Sequence, residues 1–272
     1  MTAPSDLDTI VSGTRCLLLD FDGPVCSIFA GMPAATVADR LRKLLGDHPS
    51  MPGDIARSTD PFAVFAYAAT LSEDLAASVE VEMTDLELAA IATAAPTPYV
   101  HEVVTASRDS GRTIAVVSNN SAIAVRSYLA RHGLHDRISL VVARTNHDPG
   151  LLKPSPHLIT QAVRALNAEP GECTLVGDSV TDIEAARLAN VQSIGYANKP
   201  GKRERLAIAG AGAIINSLAD LALKIRAREA KSELLQLSVR LQGHASGAPG
   251  LTAQAVKSAV GREQSRGKER PG

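Results

Sequence analysis

Tryptophan is absent from this chain of 272 residues, and phenylalanine and tyrosine bring the aromatic share to only 3%. Any core must therefore be built from Leu, Val, Ile and Ala. Cysteine is scarce as well. Cys16, Cys26 and Cys173 form an odd set without metal-ligand spacing, and two of them sit in or beside apolar runs. Buried, reduced thiols are expected, which fits a cytoplasmic protein. No segment approaches the ~18 consecutive apolar residues of a membrane span. Met1 to Gly13 is polar and acidic, with nothing suited to a signal peptide. No Walker-type loop occurs, and the Gly195 region carries no dinucleotide fingerprint.

What is present is ordinary for a globular chain: 45% hydrophobic, 21% charged, net charge −1, long enough for one large domain or a domain with an insert. The charge is uneven. From Lys224 onward ten Lys/Arg stand against four Asp/Glu. This basic tail reads as a solvated segment, and no nucleic-acid partner is expected.

Short β-type runs alternate with helical patterns. Strands are expected at Arg15–Asp20, Thr113–Ser118, Leu140–Arg144, Thr174–Asp178, Gln192–Tyr196 and Ala213–Asn216. The later ones are continuously apolar, as strands covered on both faces should be. Helices are expected from Ser121 to His132, from an N-cap at Ser155-Pro156 through Ala165, and from a capping box at Thr181-Asp182-Ile183-Glu184. The fold class is α/β, a doubly wound parallel sheet. The stretch Pro24–Pro98 breaks the rhythm and reads as helices near Pro33–Leu45, Pro61–Leu71 and Thr84–Ala94. An all-α insert there sits above the carboxyl ends of the strands, where open α/β sheets bind ligands. The organisation expected is a flexible segment 1–13, a core of 14–23 and 99–220, a helical cap 24–98, a C-terminal helix 221–242 and a disordered tail 243–272.

Four features fall at or just beyond strand ends or at a helix start: Asp20-Phe21-Asp22-Gly23, Ser118-Asn119, Lys153-Pro154, and Gly177-Asp178 through Asp182. In a parallel sheet these ends lie side by side. In this order, with a cap-sized insert, they resemble the haloacid dehalogenase superfamily, in its phosphatase branch with a helical cap, similar to phosphoglycolate phosphatase-like enzymes. The resemblance covers roughly Arg15 to Asn216. It implies a Rossmann-like core and a phosphoric monoester hydrolase acting through an aspartyl-phosphate. Asp20 is then the nucleophile and Asp22 the general acid and base. Ser118, Asn119 and Lys153 bind the phosphoryl group, and Asp20, the Asp22 carbonyl, Asp178 and Asp182 surround the metal, Asp182 directly or from behind.

Elementary electrostatics agrees. At ~4 Å and an effective dielectric of ~20, each like-charged carboxylate pair costs on the order of 4 kcal/mol. One lysine does not cancel that, so a divalent cation is implied, and all-oxygen ligands favour Mg²⁺ over zinc. One departure stands out: Pro24 follows Gly23 where many relatives have Thr or Ser, removing a hydroxyl and a backbone donor. His132 and His135 read as a surface turn, and Lys199, Lys202, Arg203 and Arg205 equally as a solvated helix face or as cations meeting an anionic substrate. The expected activity is a Mg²⁺-dependent phosphatase for a small phosphorylated metabolite. A sugar phosphomutase and a catalytically weak binding protein are the alternatives. Substrate and oligomeric state are not legible.

Overall fold

The computed structural model describes residues 7–46 and 51–229. The chain divides into two compact units, Met1–Arg226 and Ala227–Gly272, and the sheet and the helices that cover it belong to the first. Six parallel strands form one sheet in the order β3-β2-β1-β4-β5-β6. They are β1 (Cys16–Leu19), β2 (Thr113–Ser121), β3 (Leu140–Arg144), β4 (Cys173–Gly177), β5 (Gln192–Tyr196) and β6 (Ala213–Ile215). The α/β reading and the strand positions hold.

The apolar runs alternate between two cores. Leu17, Leu19, Val116 and Val176 join one cluster, while Leu18, Val117 and Leu175 join the cluster on the opposite face. Each fully buried side chain of this size contributes about 1.5–3 kcal/mol. Both faces are covered because every strand-to-strand passage runs through helix: α6 (Val100–Asp109), α7 (Ala122–Arg131), α8 (His157–Ala165), α9 (Val180–Leu188) and α10 (Lys202–Ile208).

Strand order reverses at β1, which pairs with β2 on one side and β4 on the other. The register levels Leu19 with Val116 and with Val176. Asp20, whose N–H donates to the Val176 carbonyl at 2.9 Å, is therefore the first residue out of the sheet at the switch point.

Between β1 and α6 lie α2 (Ala34–Leu45), α3 (Gly53–Ala56), α4 (Pro61–Leu71) and α5 (Glu73–Ala90). Val37, Leu41, Val64, Phe65, Met83 and Leu86 of this insert share one apolar cluster with Leu18, Val117 and Leu175 of the sheet. The two linkers join at a Cys26–Pro96 bridge.

Three expectations need correction. The third insert helix begins at Glu73 rather than Thr84, because Ser72 caps it by accepting from the Leu75 N–H at 3.1 Å. The helix near Asp182 opens two residues earlier, with Ser179 as N-cap and Asp182 at its third position. Leu7–Gly13, expected as flexible, is helix α1, since Ile10 and Val11 bury against the core that contains Leu221 and Ile225. Helix α6 follows Tyr99, which takes a left-handed φ of 69°. Residues 218–229 are helical, and the remainder of the expected C-terminal helix and tail lies outside the described residues.

Candidate active site

Asp20 leaves β1 and is followed by a tight loop in which the Gly23 N–H donates to the Cys26 carbonyl at 2.6 Å. Asp178 and Asp182 follow β4, and Lys153 sits on the loop after β3. The Lys153 ammonium lies 2.6 Å from Asp20 Oδ1 and 2.6 Å from Asp182 Oδ1, and donates to the Val117 carbonyl at 3.1 Å. All three of its donors are spent. Asp20, Asp178 and Asp182 each offer a carboxylate oxygen within 4.8 Å of the others.

Burial governs the protonation of this cluster. Asp20 is raised well above its ordinary pKa, first by burial and then by the Asp182 charge. Asp178 is raised by burial, with the Lys202 cation opposing. Asp22 is pushed up to about 6 by burial and by Asp178, while one oxygen accepts from the Ile28 N–H at 3.0 Å. A carboxyl with that value is part-protonated near neutrality, which suits a proton donor. Burial works against the Lys153 charge, but Asp182 and Asp20 outweigh it and hold its pKa above the ordinary value.

These oxygens fit a hard cation. Asp20 keeps Oδ2 outside its bond from Lys153, Asp178 keeps Oδ1 outside its bonds from Lys202 and Asn198, and no sulfur or imidazole belongs to the set. Asp182 differs. Its Oδ1 serves Lys153, and its Oδ2 accepts from the Ser179 N–H at 3.0 Å and hydroxyl at 2.6 Å. Both oxygens accept hydrogen bonds and Oδ1 orients the lysine, while Asp182 still stands in one acidic cluster with Asp20 and Asp178. Glycines make the approach possible: a Cβ on Gly177 would stand 2.3 Å from Asp182 Cβ.

Residues 14–190 match the family described as haloacid dehalogenase-like hydrolases, well over half of the chain. The chain belongs to that family. It is 25% identical over 218 residues to the bifunctional riboflavin kinase/FMN phosphatase of Arabidopsis thaliana, covering 78% of this chain and 55% of that one. It is 33% identical over 125 residues to a plasmid-borne phosphoglycolate phosphatase of Cupriavidus necator, covering 44% and 52% of the two chains. The chain thus spans about half the length of these curated relatives. A predicted phosphatase from Clostridium acetobutylicum superposes with a TM-score of 0.61 at 19% identity, over 78% of this chain and 98% of that one, which shows a shared fold.

Within this haloacid dehalogenase-like frame, the Asn119 side chain is engaged with Lys153. Its amide donates to the Lys153 carbonyl at 3.0 Å and accepts from the Lys153 N–H at 2.8 Å, so it brackets the lysine. The Ser118 hydroxyl donates to Asn120 Oδ1 at 3.1 Å, and giving its proton to a phosphoryl oxygen requires it to turn from that partner. The hydroxyl lost to Pro24 has a counterpart: Thr97, on the second linker, donates to the Gly23 carbonyl at 2.6 Å. Lys202 does not lie on a solvated face; its ammonium pairs with Asp178. Glu87 and Arg144 escaped the sequence reading, although a charge closing the apolar run Leu140–Ala143 and a glutamate among Met83, Leu86 and Ala90 were visible signals.

Proposed function

We propose that the chain is a Mg²⁺-dependent phosphatase that hydrolyses a small phosphomonoester through a phosphorylated Asp20. The observation that carries this reading is the buried Lys153 ammonium, 2.6 Å from both Asp20 and Asp182 at the switch point of the sheet. Phosphoryl transfer to water needs positioning and compensating charge. Lys153 supplies a fixed cation beside the attacking carboxylate and holds one of its oxygens, leaving the other to attack phosphorus.

As the bond from Asp20 to phosphorus forms, the ester P–O bond breaks, and the departing oxygen takes the Asp22 proton. Asp22, now a carboxylate, accepts a proton from the water that attacks the same phosphorus. The bond to Asp20 then breaks, releasing phosphate and restoring both side chains. Asp20, Asp178 and the Asp22 carbonyl would hold Mg²⁺, with Asp182 behind. When bound, the ion neutralises the crowded carboxylates and the phosphoryl oxygens.

The helical insert acts as a cap over this pocket and favours a small substrate. The matched relatives, an FMN phosphatase and phosphoglycolate phosphatases, carry substrates of that class in their names. The three free, buried cysteines accord with a cytoplasmic protein. The test is phosphate release from a panel of phosphorylated metabolites, with and without chelator. Cation-dependent release that disappears in Asp20→Asn, with the circular dichroism unchanged, is expected. A wild-type chain that releases no phosphate from any of them overturns the reading.

A further inference from the structure

Glu87 on α5 and Arg144 at the end of β3 are charged side chains with no solvent exposure, and the mechanism above uses neither. They meet as a fork: Arg144 Nη1 to Glu87 Oε1 at 3.2 Å and Nη2 to Oε2 at 3.1 Å. Well-packed apolar residues commonly serve stability as well as a buried ion pair does, so stability alone is a weak reason for one here. What the pair adds is direction.

The remaining donors and acceptors of the fork converge on three consecutive residues. Arg144 Nη1 also donates to the Asn119 carbonyl at 2.9 Å. Glu87 accepts from the Asn120 side-chain amide at 3.0 Å and from the Ser121 N–H at 2.7 Å. On the insert side, Arg144 reaches Thr84 at 3.2 Å and Glu80 at 3.3 Å. The end of β2 just beyond Ser118 is thus bonded to Glu87 of α5 at Asn120 and Ser121, and to its partner Arg144 at Asn119.

That segment in turn bonds to Ser118 and Lys153. Asn119 brackets both backbone groups of Lys153. Asn120 accepts the Ser118 hydroxyl proton and donates its own N–H to the same oxygen, each at 3.1 Å. An ionised carboxylate only accepts, so Glu87 decides which end of the Asn120 amide faces Ser118.

We propose that Glu87 and Arg144 are positioning residues that couple docking of the helical insert to the placement of Ser118 and Lys153. What those two groups do rests on the phosphatase reading above, whereas the coupling stands on the hydrogen-bond chain. An insert that lifts at α5 must either strand two buried charges or drag residues 119–121 with it. The pocket is therefore in register only while the insert is docked, which restricts turnover to the closed, water-poor state.

The experiment compares Glu87→Gln, Arg144→Lys and the double variant E87M/R144M with the wild-type chain. Melting temperature, p-nitrophenyl phosphate kinetics and amide exchange across residues 118–121 are the readouts. Glu87→Gln should lower kcat about tenfold to a hundredfold with KM within about threefold, the size expected for a misplaced catalytic frame. Exchange at Asn120 and Ser121 should rise about tenfold. The double variant should recover the melting temperature without recovering kcat. Recovery of kcat in step with the melting temperature would make the pair a structural brace and end the proposal, as would single variants with wild-type kcat and wild-type exchange. If the single variants do not fold, the double variant decides alone. If the wild-type chain hydrolyses nothing, the phosphatase reading fails while the exchange data still test the coupling: unchanged exchange in E87M/R144M overturns it, and faster exchange at a recovered melting temperature supports it.

Discussion

Gly23 and Asp178 stand so close that a Cβ on the glycine would lie 2.4 Å from the Asp178 carboxyl carbon, and Gly23 holds φ at +116°. The loop after β1 and the loop after β4 can share one pocket only because this side chain is missing. Gly23→Ala meets both a strained backbone region and a collision with a carboxyl group the cation would need. We expect kcat/KM to fall about a hundredfold, the scale of a 1 Å displacement, with weaker Mg²⁺ binding by calorimetry. Unchanged Mg²⁺ affinity would remove Asp178 from the ligand set.

Lys153→Met leaves Asp20 and Asp182 facing each other without their shared cation. Breaking a buried pair of this kind costs about 3–5 kcal/mol. Chemical denaturation at neutral pH should read that loss, with hydrolysis abolished. The deficit should shrink on acidification, as protonation relieves the stranded carboxylates. A variant as stable as the wild-type chain at neutral pH contradicts the geometry.

The pH dependence of the metal-free protein has a definite sign. Burial and Asp178 raise Asp22 from 3.8 to about 6, so its protonated form favours the folded state. That contribution is full below about pH 4 and is lost as the pH climbs through about 6. The stability gap between wild type and Asp22→Asn should therefore widen in favour of the variant over this window, measured by urea denaturation in chelator. A gap independent of pH refutes the buried acid.

Mg²⁺ should raise the melting temperature by mass action, by the equivalent of about 2.7 kcal/mol at a hundred times its dissociation constant. It should also flatten the pH slope just described, because the cation stabilises the ionised carboxylates. Absence of a thermal shift at millimolar Mg²⁺ would count against the Asp20–Asp178 pocket as a metal site.

Ser179→Ala removes the cap of α9 and two of the bonds to Asp182 Oδ2 and its backbone. Loss of such a cap costs about 0.5–2 kcal/mol. Because Asp182 holds Lys153, turnover should drop several-fold beyond what stability explains. Alanine at this position with full kcat would show that the lysine is placed without help from the capping box.

The elements that were legible are those whose sequence signal is local. Val116-Val117 and Leu175-Val176 announced strands because a sheet covered on both faces needs unbroken apolar runs. Asp20, Asp22 and Asp178 stood out because carboxylates at the tip of such a run have no packing use, whereas Lys153, on the loop beyond β3, drew its weight from its order in the series. Helix α1 was missed because Ile10 and Val11 gain their burial from Leu221 and Ile225, more than two hundred residues on. Thr84, the expected start of that helix, lies inside α5 instead, its hydroxyl donating to Glu80 at 2.9 Å and accepting from Arg144.

The chain alone determined the order of the four polar features, Asp20-Phe21-Asp22-Gly23, Ser118-Asn119, Lys153-Pro154 and Gly177-Asp178, at or just beyond strand ends. Only the tertiary structure decided how these residues divide the work. It set Asp182 against the Lys153 ammonium, the Asn119 amide against both backbone groups of Lys153, and Glu87 with Arg144 against residues 119–121. The physical reason is that hydrogen-bond partners of buried polar atoms are chosen across long stretches of chain, 29 residues for Lys153–Asp182, 57 for Arg144–Glu87 and 133 for Lys153–Asp20. Local patterns carry the period of an element, and burial then compels every enclosed donor and acceptor to find its partner in space.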